Sequence, residues 1–146
     1  MAEVVFDCVK IQEILPHRYP FLMVDRVTEF VPNQSIVAEK AVTINEPYFV
    51  GHFPGKPVMP GVMVLEAIAQ VAAILAKKSP DGIPPEKLIY LVGADKFRWK
   101  RMVVPGDVLR IEVKFVKVRR PIWNITGEVT VEGKLVCSGD VMAAEG

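Results

Sequence analysis

The sequence predicts an α+β domain in which one long helix packs against an antiparallel sheet. Three observations predict it. Residues 61–78 form a single uninterrupted helical stretch, apolar almost throughout. Two strand-like runs, residues 21–31 and 36–43, flank the turn "VPNQS" before it. After it come further runs rich in β-branched and aromatic residues, broken by turn sequences such as "PGD".

The elements follow in order. "VKIQEIL" (residues 9–15) reads as a short helix ended by Pro16. "FLMVDRVTEFV" and "IVAEKAVT" read as a hairpin. Residues 45–60 form a long connection with four prolines, and such loops inside compact domains are often functional. Pro60 precedes the long helix, where the first amides lack partners anyway, and Lys77 and Lys78 suit its C-terminus. "KLIYLVGADKFRWKRMVV", "VLRIEVKFVKVRR", "PIWNITGEVTVEG" and "KLVCSGDVMAA" read as three to four strands of a meander, the second alternating through Val108, Ile111, Val113 and Phe115. Nothing marks a boundary or a repeat, so residues 1–146 are expected to form one domain, long enough to bury a core.

Composition narrows the function classes. The apolar fraction of 51% is high, and part of that surface is expected to close against a second copy of the chain. A net charge of +1 offers no general basis for nucleic-acid or membrane-surface binding. The longest apolar run, residues 61–76, contains Glu66 and Gln70 and falls short of the roughly 20 residues of a membrane span. Cys8 and Cys137 lack metal or redox spacing and read as reduced thiols. The first residues show no basic region followed by an apolar one, so a cytoplasmic protein is expected.

The chemistry gathers around "GHFPGKPVMPGVMVLEAIAQ", residues 51–70. Glu66 and Gln70 are the strongly polar side chains of an otherwise apolar helix, four apart and so on one face. A carboxylate there is costly unless paired or used. Glu66 is therefore either a satisfied core acid or a working group. His52 lies fourteen positions earlier, and the prolines and glycines between them define a stiff path. The amides around Gly61 and Val62, at the helix start, suit an oxygen gaining negative charge. With only His17 and His52 available and no helical His/Glu pair, a metal site is not expected. There is no G-x-S-x-G, P-loop or G-x-G-x-x-G motif.

"KFRWKR" (residues 96–101) alternates, which on a strand puts Lys96, Arg98 and Lys100 on one face and Phe97 and Trp99 on the other, with Arg101 extending the charge. This is either a solvated face or a docking patch for an acidic partner. The separation of aromatics from cations speaks against nucleic acid.

"ILPHRYPFLMVDRV", "GHFPGKPVMPGVMVLEAIAQ" and "VVPGD" together resemble the FabZ-type 3-hydroxyacyl-[acyl-carrier-protein] dehydratases. The three blocks match in order and spacing across most of the chain. The resemblance implies a hot-dog fold, a long central helix wrapped by a curved antiparallel sheet. It implies a homodimer paired edge to edge, commonly a trimer of dimers, with active sites in tunnels at the dimer interface. It identifies His52 and Glu66 as the catalytic pair, contributed by opposite subunits. It implies reversible dehydration of a (3R)-3-hydroxyacyl thioester on the phosphopantetheine of acyl carrier protein to the trans-2-enoyl thioester, with no further cofactor. The Gly61 amide is the candidate oxyanion donor. Acyl carrier proteins are strongly acidic, so Lys96, Arg98, Lys100 and Arg101 become docking candidates, with Arg119 and Arg120 behind them.

Glu66 stands where the related dehydratase/isomerases usually carry Asp, which favours dehydration without isomerisation. The chain departs from the family pattern at Met102, where proline is usual, and in the bulk of Phe97 and Trp99. His17 is assigned structural work, and Asp25 with Arg26 a possible ion pair. Rival readings are another enzyme of the same fold, a thioesterase or enoyl-thioester hydratase, and a silent acyl-binding protein.

Overall fold

The computed structural model describes residues 3–146. Asp7 opens the first helix by accepting the Lys10 amide at 2.9 Å, an N-cap that starts α1 (Cys8–Ile14). Leu15 is already extended, as a residue before proline prefers, so the helix stops there.

β1 (Arg26–Val31) and β2 (Ser35–Ala41) form the expected antiparallel hairpin. β1 starts later than residue patterning suggests. Phe21 and Met23 stay out of the sheet because the Gln70 side chain takes their backbone groups. Its Oε1 accepts the Met23 amide at 2.7 Å, and its Nε2 donates to the Phe21 carbonyl at 2.8 Å. The expected Asp25–Arg26 pair does not form. Arg26 pairs with Glu39 across the hairpin, and Asp25 accepts the Ala41 amide at 2.6 Å.

A 3-10 turn (Pro47–Val50) interrupts the proline-rich connection before the central helix α2 (Gly61–Lys78) begins where expected. From Val64 to Ala76 α2 is buried on nearly every side, which explains its missing polar face. β3 (Ile89–Trp99), β4 (Val108–Arg119), β5 (Ile122–Val131) and β6 (Lys134–Glu145) follow. The sheet order is β1-β2-β4-β5-β6-β3. Only β4, β5 and β6 form a meander; β3 crosses to the far edge beside β6. In β4 the inward row is Leu109, Ile111 and Val113, while Val108 is exposed, so the period of two runs one residue out from the expected start.

The sheet curls around α2 in the hot-dog arrangement that the resemblance implies. The two layers are in close contact at Gly127 of β5, where a Cβ would lie 2.6 Å from Ile68 Cγ2. β3 is left as an edge strand with Tyr90, Leu91, Val92 and Trp99 exposed. No helix among the described residues is long and apolar enough to cross a membrane.

Candidate active site

The site is built on two stretches of α2, its first turn and the face that runs from Glu66 to Ala76. Along one face Glu66, Ala69, Gln70, Ala73 and Ala76 recur at helical spacing. The alanines leave a space of about 150 Å³ between helix and sheet, walled by Ile125, Val141 and Ala143 and closed by Phe115 and Trp123. Glu66 and Gln70 meet as expected, Gln70 Nε2 donating to Glu66 Oε2 at 2.8 Å. Because Gln70 is also bonded to Phe21 and Met23, it holds the carboxylate in one orientation.

His17 joins this cavity, which spacing along the chain could not reveal. Its Nε2 lies 3.8 Å from Glu66 Oε2, close enough for charge to matter and too far for a good hydrogen bond. Its Nδ1 is buried without a partner among the described residues. Burial pulls the His17 pKa below 6.5, against the upward pull of the Glu66 charge. The structural assignment of His17 is therefore too narrow: the ring forms part of the wall around Glu66.

His52 sits in the loop before the first turn of α2. Its amide donates to the Tyr48 carbonyl at 3.1 Å, closing the 3-10 turn, and its Nδ1 lies 2.6 Å from the Val58 carbonyl. A carbonyl only accepts, so Nδ1 carries the proton and Nε2 keeps a free lone pair. The turn before it is tied down by a buried ion pair, Lys40 Nζ to Glu46 Oε1 at 2.6 Å, whose other oxygen accepts the Thr43 amide at 3.0 Å. His52 opens onto a wider cavity of about 490 Å³ shared with Gly61, Trp99, Lys100, Arg101 and Met102. Cys137 also lines it, but burial pushes its thiol up to about 11, so it stays protonated and offers no nucleophile.

Gly61 is the first residue of α2, and its amide has no acceptor among the described residues. Its carbonyl accepts the Trp99 indole N–H at 3.0 Å. A Cβ at this position would fall 2.8 Å from Trp99 Nε1, so glycine is what lets the indole lie against the helix start. This role of Trp99 was hidden by its place in a basic run.

That run is less regular than alternation suggests. Lys96 has φ +56°, and the pairing with β6 shifts between Asp95 and Arg98, which breaks the row of cations. β3 ends at Trp99, so Lys100 and Arg101 belong to the following loop. They border the His52 cavity, Arg101 held by Asp107 at 2.9 Å, while Lys96 and Arg98 are exposed beside Phe97 and Trp99, whose rings stack at 5.5 Å. Arg120 pairs with Glu145 and donates to the Asp81 carbonyl at 2.7 Å.

Within one chain, then, His52 and Glu66 open onto different cavities. His52 and Gly61 share one, and Glu66, Gln70 and His17 share the other. No group of three or more metal-ligating side chains converges among the described residues.

Comparison with known proteins bears on this arrangement. Residues 15–140 match the model of the FabA-like domain. The chain is 53% identical over 138 residues to the 3-hydroxyacyl-[acyl-carrier-protein] dehydratase FabZ of Shewanella woodyi, covering 94% of this chain and 91% of that one. It is 52% identical over 137 residues to the protein of the same name from Myxococcus xanthus, covering 94% and 90%. Among solved structures it resembles the dehydratase heterocomplex ApeI:P from Xenorhabdus doucetiae, with a TM-score of 0.78 at 18% identity over 93% of this chain and 90% of that one. It also resembles a hypothetical thioesterase with coenzyme A from Streptococcus pneumoniae, with a TM-score of 0.61 at 12% identity over 82% and 84%.

Proposed function

The chain belongs to the FabA-like family, and from that premise we infer that it removes water from (3R)-3-hydroxyacyl thioesters on acyl carrier protein. The reverse reaction hydrates the trans-2-enoyl thioester. The observation that supports this reading best is the division of the site. The start of α2 and the loop before it offer a base and a free amide, and the face of α2 that begins at Glu66 an oriented carboxylate above an apolar cavity.

The chemistry divides accordingly. The thioester carbonyl accepts the Gly61 amide, which stabilises negative charge on that oxygen as the C2 proton leaves. His52 Nε2 takes that proton, its Nδ1–H braced on the Val58 carbonyl. The C2–H electron pair forms the C2–C3 double bond, and the C3–O bond breaks. Glu66, held by Gln70, enters the step as the carboxylic acid and gives its proton to the departing hydroxyl, which leaves as water; the proton taken by His52 is returned to Glu66 through solvent before the next turnover. The acyl tail lies in the apolar cavity. No metal or organic cofactor of the protein's own is invoked; the phosphopantetheine arm comes with the carrier.

Because His52 and Glu66 do not share a cavity in one chain, each complete site is proposed to combine His52 of one subunit with Glu66 of another. The exposed edge of β3 is the proposed seam of the homodimer, and three dimers the proposed assembly. Lys96, Arg98, Lys100 and Arg101, at or near the His52 cavity, are the proposed contacts for the acidic carrier. Retention of Glu66 favours dehydration without isomerisation, and the expected location is the cytoplasm.

The test is turnover of 3-hydroxybutyryl and 3-hydroxydecanoyl carrier protein, followed by the absorbance of the enoyl product. His52→Ala and Glu66→Ala are each expected to lose about 100-fold or more, the worth of a positioned proton-transfer group. Wild-type rates in both variants, or hydrolysis of the thioester in place of dehydration, would overturn the reading.

A further inference from the structure

The first turn of α2 carries two amides without acceptors among the described residues, those of Gly61 and Val62. A donor to a developing oxyanion works only if it is held where the charge will appear, and a glycine backbone is the hardest to hold. The peptide before Gly61 is held from inside the helix. Its carbonyl, that of Pro60, accepts the Met63 amide at 2.9 Å and the Val64 amide at 3.3 Å. The peptide after Gly61 is held from outside, because the Gly61 carbonyl accepts the Trp99 indole N–H at 3.0 Å. That carbonyl and the Val62 N–H lie in one plane, so the bond fixes where the N–H points and polarises it.

Trp99 is itself braced. It ends β3 opposite Cys137 of β6, and the next residue continues the tie, the Lys100 amide donating to the Val136 carbonyl at 2.8 Å. Its ring stacks on Phe97 at 5.5 Å, and Phe97 rests on Gly139 of β6, where a Cβ would fall 2.5 Å from the Phe97 ring. At the other end a Cβ on Gly61 would fall 2.8 Å from the indole nitrogen. Two glycines therefore seat a pair of stacked aromatics that runs from the sheet to the helix start. His52 opens onto the same cavity as Gly61 and Trp99, and the contact is complete within one subunit.

We propose that Trp99 is a positioning residue for dehydration: its indole N–H fixes the first turn of α2 so that the Gly61 amide meets the thioester oxygen as charge develops on it. The proposal deepens the dehydratase reading above and rests on it. Trp99 acts here through Gly61 and not on the reacting atoms. Its loss is felt where charge develops, in kcat, and not in KM. Its neighbours Arg98 and Lys100 are proposed contacts for the carrier, and a role of that kind would instead raise KM for carrier-bound substrate alone.

The test measures kcat and KM for 3-hydroxybutyryl carrier protein and for a short free thioester, 3-hydroxybutyryl-N-acetylcysteamine. Trp99→Phe keeps a ring and loses the N–H. It should lower kcat about three- to tenfold on both substrates, the worth of one hydrogen bond, with KM changed less than about twofold. Trp99→Ala also loses the ring and should lower kcat about 100-fold, the scale of a misplaced catalytic group. Gly61→Ala keeps the amide but pushes the indole off the helix, and should lower kcat as well. Because Trp99 acts through Gly61, the double variant Gly61→Ala/Trp99→Ala should lose about as much as the worse single variant, whereas independent effects would multiply. If Trp99→Ala does not fold, Trp99→Phe carries the test, since it keeps a ring beside Phe97. An unchanged kcat in Trp99→Phe, or a rise in KM for the carrier-bound substrate alone, would overturn the proposal and leave the dehydratase reading standing. Failure of the wild type to dehydrate either substrate would overturn both.

Discussion

Two stretches of α2 make contrasting sites from one helix. The face from Glu66 to Ala76 is sealed under the sheet, and the cavity there is narrow, apolar and closed by Trp123, whose indole N–H donates to Glu145. The first turn, with Gly61 and Val64, lies under a proline-rich loop, and the cavity there is wider, open and bordered by Lys100 and Arg101. In the proposed reaction the first takes the hydrocarbon tail and the second the thioester arriving on its carrier. The proposed catalytic groups are divided the same way, Glu66 with the tail and His52 with the thioester. On that proposal one polypeptide holds both halves of the chemistry without joining them, and a second subunit supplies the join.

The division predicts complementation, the largest effect expected. His52→Ala and Glu66→Ala are each nearly silent alone. After subunit exchange, an equal mixture should recover about a quarter of wild-type turnover, since half the dimers are mixed and each mixed dimer holds one intact site of two. A mixture as silent as its components would place both residues in one chain's site.

Next in size is the anchor of the His52 loop. Lys40 is almost fully buried and its charge is met by Glu46. Lys40→Met leaves the Glu46 carboxylate uncompensated and should cost about 3–5 kcal/mol, read from urea denaturation. The double variant Lys40→Met/Glu46→Gln should recover much of that loss. No recovery would mean that Lys40 acts through packing of its stem instead of its charge. Glu66→Gln, in the narrower cavity, removes no ion pair of this kind and should change stability far less.

Charge reversal separates the cavities a third way. Arg98→Glu with Lys100→Glu should raise KM for carrier-bound substrate by roughly tenfold, an effect that shrinks with added salt. KM for a short free thioester should barely move. Equal effects on both substrates would remove the cations from carrier recognition.

How far the sequence could be read follows the same contrast. α2 was legible to the residue, because Pro60 and the terminal lysines mark its ends. The hairpin and the later strands were legible as strands, since local propensity decides them. Their order was not: β3 crosses to the far edge because of which faces pack, and no local pattern encodes that. The late start of β1 depends on Gln70, nearly fifty positions away. Trp99 looked like part of a surface row until its indole was found on Gly61. The fourteen-residue spacing of His52 and Glu66 suggested a shared site, and family resemblance alone pointed to two subunits. His17 was assigned structural work, because its link to Glu66 exists only in the folded chain.

That link yields the smallest effect, a pH dependence confined to the sealed end. Burial lowers the His17 pKa in the folded protein below the 6.5 of an ordinary histidine. Above pH 6.5 the ring is neutral in both folded and unfolded chains and contributes no slope. As pH falls through 6.5 the unfolded chain binds a proton that the folded chain resists, so stability falls with acidification until the lowered folded pKa is reached. One proton limits this slope to about 1.4 kcal/mol per pH unit. His17→Gln should therefore lose less stability than wild type on moving from neutral to mildly acidic buffer, as judged by urea midpoints. Glu66 opposes the effect, because its negative charge favours the protonated ring, and Lys77 reinforces it. Glu66→Gln should accordingly steepen the wild-type slope. If His17→Gln acidifies with the same loss as wild type, the ring is not held neutral beside Glu66, and the sealed cavity is wetter than its apolar walls imply.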